Sequence, residues 1–158
     1  MPLPSLRPGD LFSLAHEAGL ASAAQLLDKS GEQLLVLVVE EECSDNPEAI
    51  SEAALSGRPM LLGITLDALF SHGRWRVVGS AAQRTDVIYP TFAVAVAPGE
   101  YVRETFHGDQ LGRITDVEAD AMAPRKIVAP IRIESAARAQ RGLEPWLPHY
   151  ESLLLDRA

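Results

Sequence analysis

Six consecutive apolar residues, Leu34-Leu35-Val36-Leu37-Val38-Val39, constrain this chain more than any other feature. Side chains alternate between the two faces of a strand, so an unbroken apolar run reads as a strand buried on both faces. The fold must then supply something to cover the second face. Turn residues bound the run, with Asp28-Lys29-Ser30-Gly31 before it and a loop around Asn46-Pro47 after it.

The same reading places strands on either side. Residues 11–14 follow the turn Arg7-Pro8-Gly9-Asp10, and His16-Glu17-Ala18-Gly19 reads as a hairpin turn. Residues 20–27 carry alanines that favour a helix, but the flanking turns favour a strand and make a meander with the central run. Residues 60–65 form a further strand. Arg74-Trp75-Arg76-Val77-Val78-Gly79 alternates polar and apolar, which places Trp75 inward and the arginines outward. Residues 91–96, 101–106 and 111–117 read as extended. Helices are expected over 48–55, opened by Pro47 at its first position, in one turn near 65–70, and in the tail. The tail reads as extended over 127–134, with Ser135 capping a helix over 136–141 and a last helix from Pro148. Many short strands with two or three short helices predict the α+β class. The expected core is a strongly curved, mostly antiparallel, half-open barrel-like sheet. It forms a single domain over 1–158, with a C-terminal helical extension from about residue 135.

A chain of 158 residues buries roughly 70% of its unfolded surface and needs no disulfide or metal to hold it. No apolar run approaches the ~20 residues of a membrane helix. The N-terminal stretch 1–8 lacks the charged start and apolar run of a secretory leader. Cys43 is the only cysteine, so no disulfide forms within the chain. A cytoplasmic protein with no membrane partner is expected.

The net charge of −8 argues against a nucleic-acid partner, which needs a cationic patch to displace counterions. It suits solubility or a basic partner. The charge is uneven. Residues 40–52 hold Glu40, Glu41, Glu42, Asp45, Glu48 and Glu52 and no base. Residues 121–141 hold Arg125, Lys126, Arg132, Arg138 and Arg141 against Glu134 alone.

Catalytic and metal signatures are sparse. His16, His72, His107 and His149 do not lie three or four residues from one another or from Cys43, so the local spacing of a metal site is absent. They read as exposed turn histidines. Cys43 follows three glutamates, whose charge raises a thiol pKa and suppresses the thiolate. No nucleophile elbow, phosphate loop or dinucleotide fingerprint occurs. Asp116, Glu118 and Asp120 alternate and would share one face of a strand, where like charges raise a pKa. A solvated face is the simpler account. Trp75 between two arginines would suit stacking on a ligand, but the alternation favours the core. No catalytic residue, no metal and no cofactor are expected, and the chain reads as a non-enzyme.

The order of segments adds a resemblance. Pro8-Gly9-Asp10-Leu11-Phe12-Ser13-Leu14 precedes Gly19-Leu20-Ala21-Ser22-Ala23-Ala24-Gln25-Leu26, and Gly73-Arg74-Trp75-Arg76-Val77-Val78-Gly79 precedes Tyr89-Pro90-Thr91-Phe92. Over residues 7–97 this resembles the immunity protein 26 family of bacterial polymorphic-toxin systems. The chain departs from that family at Ser22-Ala23-Ala24, where the family pattern carries an aromatic residue and a glycine. The resemblance implies a protein that binds and neutralises a cognate toxin by occupying its surface, and it brings no catalytic residues with it. The acids of residues 40–52 are then the candidate partner-binding side chains, steering a basic toxin. Two other classes remain open: a small-ligand-binding or regulatory domain with an apolar pocket in the curved sheet, and an enzyme working through paired carboxylates.

Overall fold

The computed structural model describes residues 5–122 and 125–155. Residues 1–4, within the stretch read as lacking a leader, and residues 156–158, at the end of the expected helical tail, lie outside the described residues. The chain divides into two compact units, one of residues up to 84 together with the segment from 127 onward, the other of residues 85–126.

The first unit is built on a five-stranded antiparallel sheet of β1 (Asp10–Ala15), β2 (Leu20–Ser30), β3 (Gln33–Ser44), β4 (Pro59–Thr65) and β5 (Trp75–Ser80). The order is β4-β3-β2-β1-β5. The first three strands run as the expected meander, β4 adds beyond β3 after α1, and β5 returns to the far side of β1. The sheet does not close, since β4 and β5 are its two ends. The β4 end is covered by the tail: the Val128 N–H donates to the Ile64 carbonyl and the Leu155 N–H to the Met60 carbonyl. Among the described residues the outer edge of β5 has no strand beside it.

The central run is buried on both faces, as its composition requires. One face places Leu34, Val36 and Val38 with Phe12, Leu14 and Trp75. This face is covered by α4 (Pro130–Gln140), through Ile133, Ala136 and Ala137, and by Tyr150 and Leu153 of a final 3₁₀ helix (Pro148–Leu153). On the other face, Ile50 and Ala54 of α1 (Pro47–Ser56) pack with Leu11, Ala21, Ala23 and Val39. Asn46 caps α1 by accepting from the Ala49 N–H at 2.9 Å, and Pro47 occupies the first turn. Arg84 completes the other end, with Nη1 donating to the carbonyls of Ala54 and Gly57. Gly9 shows why the opening turn needs glycine. Its φ is +101°, and a Cβ there would collide with the Ala81 carbonyl oxygen.

The second unit contains the three-stranded antiparallel sheet β6 (Phe92–Ala97), β7 (Glu100–Glu104) and β8 (Gln110–Ile114), then α3 (Asp116–Ala121). Arg125 organises it. Its guanidinium lies 4.7 Å from the Phe92 ring centre, pairs with Glu104 and donates to the carbonyls of Thr105 and Phe106.

The α+β class and the mostly antiparallel pairing hold, while several local expectations do not. Among the described residues five short helices form where two or three were expected, the others including α2 (Ala68–Ser71). β3 continues to Ser44, so Glu40, Glu41, Glu42 and Cys43 lie on a strand and not in a loop; pairing of Ser22, Ala21 and Leu20 with Glu42, Cys43 and Ser44 carries the ladder on. Asp116, Glu118 and Asp120 do not alternate on a strand. Thr115 and Glu118 close a capping box, and local hydrogen bonds wind the segment into α3. Helix α4 starts at Pro130, with Ser135 in its interior, because Pro presets the first-turn dihedral and the buried Ile133 face continues upstream. No helix of the described residues is long and apolar enough to cross a membrane.

Candidate functional site

The six acids of residues 40–52 are brought to one end of the sheet, and four of them meet partners from elsewhere in the chain. Glu40 lies 3.7 Å from the Arg58 guanidinium, and Glu41 accepts the Arg58 backbone N–H at 2.8 Å. Glu42 is 3.9 Å from Arg141, and Asp45 is 3.0 Å from Arg76. Glu48 and Glu52 sit exposed on α1. Three arginine side chains from distant parts of the chain thus pair with three of the carboxylates, and a backbone N–H meets a fourth, leaving the segment net negative. The tail arginines are spent in the same way, Arg138 on Glu17 and Glu144, and Arg141 on Glu42.

Beside these acids lies a polar cluster that the sequence did not flag. His16 Nε2 and the Ser22 hydroxyl share a hydrogen bond of 2.7 Å, and Arg141 Nη2 donates to the same hydroxyl. His16 is half-buried, not an exposed turn histidine. Its pKa is lowered, first by burial and then by Arg138 and Arg141, with Glu42 and Glu134 pulling the other way. Ser22 is fully buried, so its hydroxyl is out of reach of a substrate and the pair acts as a strut. Cys43 donates to the Ala21 carbonyl, and burial, ahead of the acids Asp45 and Glu42, raises its pKa. Among the described residues no three His, Cys, Asp or Glu side chains gather as metal ligands would.

A concavity lies elsewhere. A cleft of about 690 Å³ opens between the β2–β3 turn, α2 and β5. Leu34, Phe70 and Trp75 line it, with Leu66, Lys29 and Asp67 around them. Trp75 is only 1% exposed and belongs to the core as well as to the cleft wall. It stacks on Phe12 at 5.3 Å and meets Phe70 edge-on at 5.4 Å, so the ring is held from two sides. Its indole Nε1–H is buried without an acceptor among the described residues. The sequence pattern placed Trp75 inward, yet nothing in it indicated the cleft, because the walls come from three separated segments. Alternation along one strand reports burial, not what other elements leave uncovered.

Arg74, next to Trp75, pairs with Glu134 of α4, a carboxylate that is fully buried. This contact holds the start of β5 to the helix and so fixes Trp75 at the cleft. Comparison with known proteins found no matching family model, no matching curated protein and no matching solved structure.

Proposed function

We propose that this chain works by binding another protein and not by catalysis, as an immunity protein that neutralises a cognate bacterial toxin by occupying its surface. The observation that carries this reading is the position of the segment 73–79. The residues whose order resembles the immunity protein 26 family form β5, the edge strand with an open side and with Arg76 and Val77 exposed. An unpaired edge is a ready template for another chain, since its N–H and C=O groups lack partners. The register shifts in the pairings of β1 with β5, of β2 with β3 and of β3 with β4 support a strongly curved, half-open barrel-like sheet, because bulges bend and twist a strand.

The acids Glu40, Glu41, Glu42, Asp45, Glu48 and Glu52 then steer a basic toxin, and the exposed pair Glu48 and Glu52 contributes most, since no arginine among the described residues pairs with it. The test measures association with the product of the reading frame next to this gene. Glu48→Gln with Glu52→Gln lowers the on-rate by about threefold at low ionic strength, with most of the effect lost at high salt. An unchanged rate removes the steering role, and no binding or protection by the wild-type protein removes the toxin reading.

A second reading, a small-ligand-binding domain, is favoured by the cleft at Trp75. Its volume lies in the roughly 300–1,000 Å³ range of small-molecule sites, and its walls mix apolar side chains (Leu34, Phe70, Trp75) with charged ones (Lys29, Glu32, Asp67, Arg76).

A further inference from the structure

The structure assigns the Trp75 cleft as a site for an uncharged apolar molecule carrying a carbonyl-type oxygen, which accepts a hydrogen bond from the Trp75 indole N–H. This inference rests on the ligand-binding reading and not on the toxin reading.

Three observations carry it. The first is the orphaned donor. Buried N–H groups in folded proteins almost always find an acceptor, and an indole can only donate. Trp146, the other tryptophan, follows that rule, since its Nε1–H donates to Glu151 at 2.8 Å. Trp75, more deeply buried, has no acceptor among the described residues while it lines the cleft. A ligand oxygen would supply the acceptor.

The second is rigidity. Phe12 and Phe70 hold the ring, and the Arg74–Glu134 pair anchors the strand start. The donor is therefore fixed before any ligand arrives, which lowers the ordering cost of binding.

The third is charge balance. Lys29 and Arg76 line the cleft, but so do Glu32 and Asp67, and Arg76 is already paired with Asp45. No net charge selects an ion, whereas Leu34, Leu66 and Phe70 offer an apolar bed. A neutral oxygen acceptor on an apolar body matches all three.

Acetophenone, ethylbenzene and benzoate serve as probes, sharing an aromatic ring and differing in the acceptor and its charge. Binding is followed by the two indole N–H resonances in nitrogen–proton NMR spectra, assigned with Trp146→Phe. Acetophenone is expected to bind about tenfold more tightly than ethylbenzene, the size of one net hydrogen bond, and more tightly than benzoate. It alone of the two neutral probes moves the Trp75 N–H resonance downfield. In Trp75→Phe, which keeps an aromatic ring and removes the donor, the preference falls to about twofold or less. Ser71→Tyr, a change at an exposed residue lining the cleft, weakens all three probes. Equal binding of acetophenone and ethylbenzene with an unmoved Trp75 resonance overturns the acceptor assignment while leaving an apolar cleft. Tighter binding of benzoate overturns the uncharged class. No binding of any probe at millimolar concentration overturns the ligand-binding reading and this inference together.

Discussion

Trp75 shows how one side chain belongs both to the core and to the wall of a cleft. The indole fills the space between Phe12, Phe70 and the β3 face, and its burial follows from the alternation along β5. Truncating it leaves a large void that the aromatic neighbours only partly fill. Trp75→Ala is expected to cost about 3–5 kcal/mol, seen as a loss of several degrees in Tm by calorimetry. A change of less than a degree would mean that the ring is not part of the core. Gly9 works through the backbone instead, and no larger residue fits beneath the Ala81 carbonyl.

At the scale of elements, β5 and α4 are tied by one charge pair with unequal surroundings. The Glu134 carboxylate is fully buried while the Arg74 side chain is 53% exposed. The hydrogen bond that Arg74 donates to Glu134 is the main reason the Arg74 pKa is raised. Removing the arginine strands a buried charge, whereas removing both charges does not. Arg74→Met alone is expected to destabilise by about 3 kcal/mol, and Arg74→Met with Glu134→Gln by clearly less. Urea unfolding of the two single variants and the double variant checks this. Equal losses in the single and double variants would show that the pair is not coupled. The strands were legible at this scale because alternation and turn residues are local. The acidic end of β3 was not, because its strand state depends on pairing with Leu20, Ala21 and Ser22, a partner that no local pattern names. Helix α3 was misread for the converse reason: three acids spaced two apart suggest a strand, but the Thr115 and Glu118 capping box outweighs spacing.

For the whole molecule, the cationic residues of the tail matter through where they land. Arg138 and Arg141 come back to the β1–β2 turn and the end of β3, beside His16, Glu17 and Glu42. Burial first, and then these two arginines, make His16 resist protonation in the folded chain. The unfolded chain takes up that proton near pH 6.5 and the folded chain only at lower pH. The contribution of His16 is neutral above that pH and becomes destabilising as pH falls below it. Tm is expected to drop between pH 7 and 5, and His16→Gln is expected to flatten the drop. An identical pH profile in the variant would exclude His16 as the source.

The sequence by itself determined the class of fold and the buried strand at its centre. Six apolar residues in a row have no stable place except a strand covered on both sides, and turn residues between extended runs force an antiparallel meander. It also determined that Trp75 points inward. Only the tertiary structure decided what covers each face, how the acids are offset, and where a cleft remains. Arg58, Arg76 and Arg141 meet the acidic segment from separate parts of the chain, and the cleft exists because α2 and the β2–β3 turn approach Trp75 without closing over it. Local patterns report which side of an element avoids water. Which distant groups then meet, and which donor is left without an acceptor, depends on contacts across the chain that no single segment encodes.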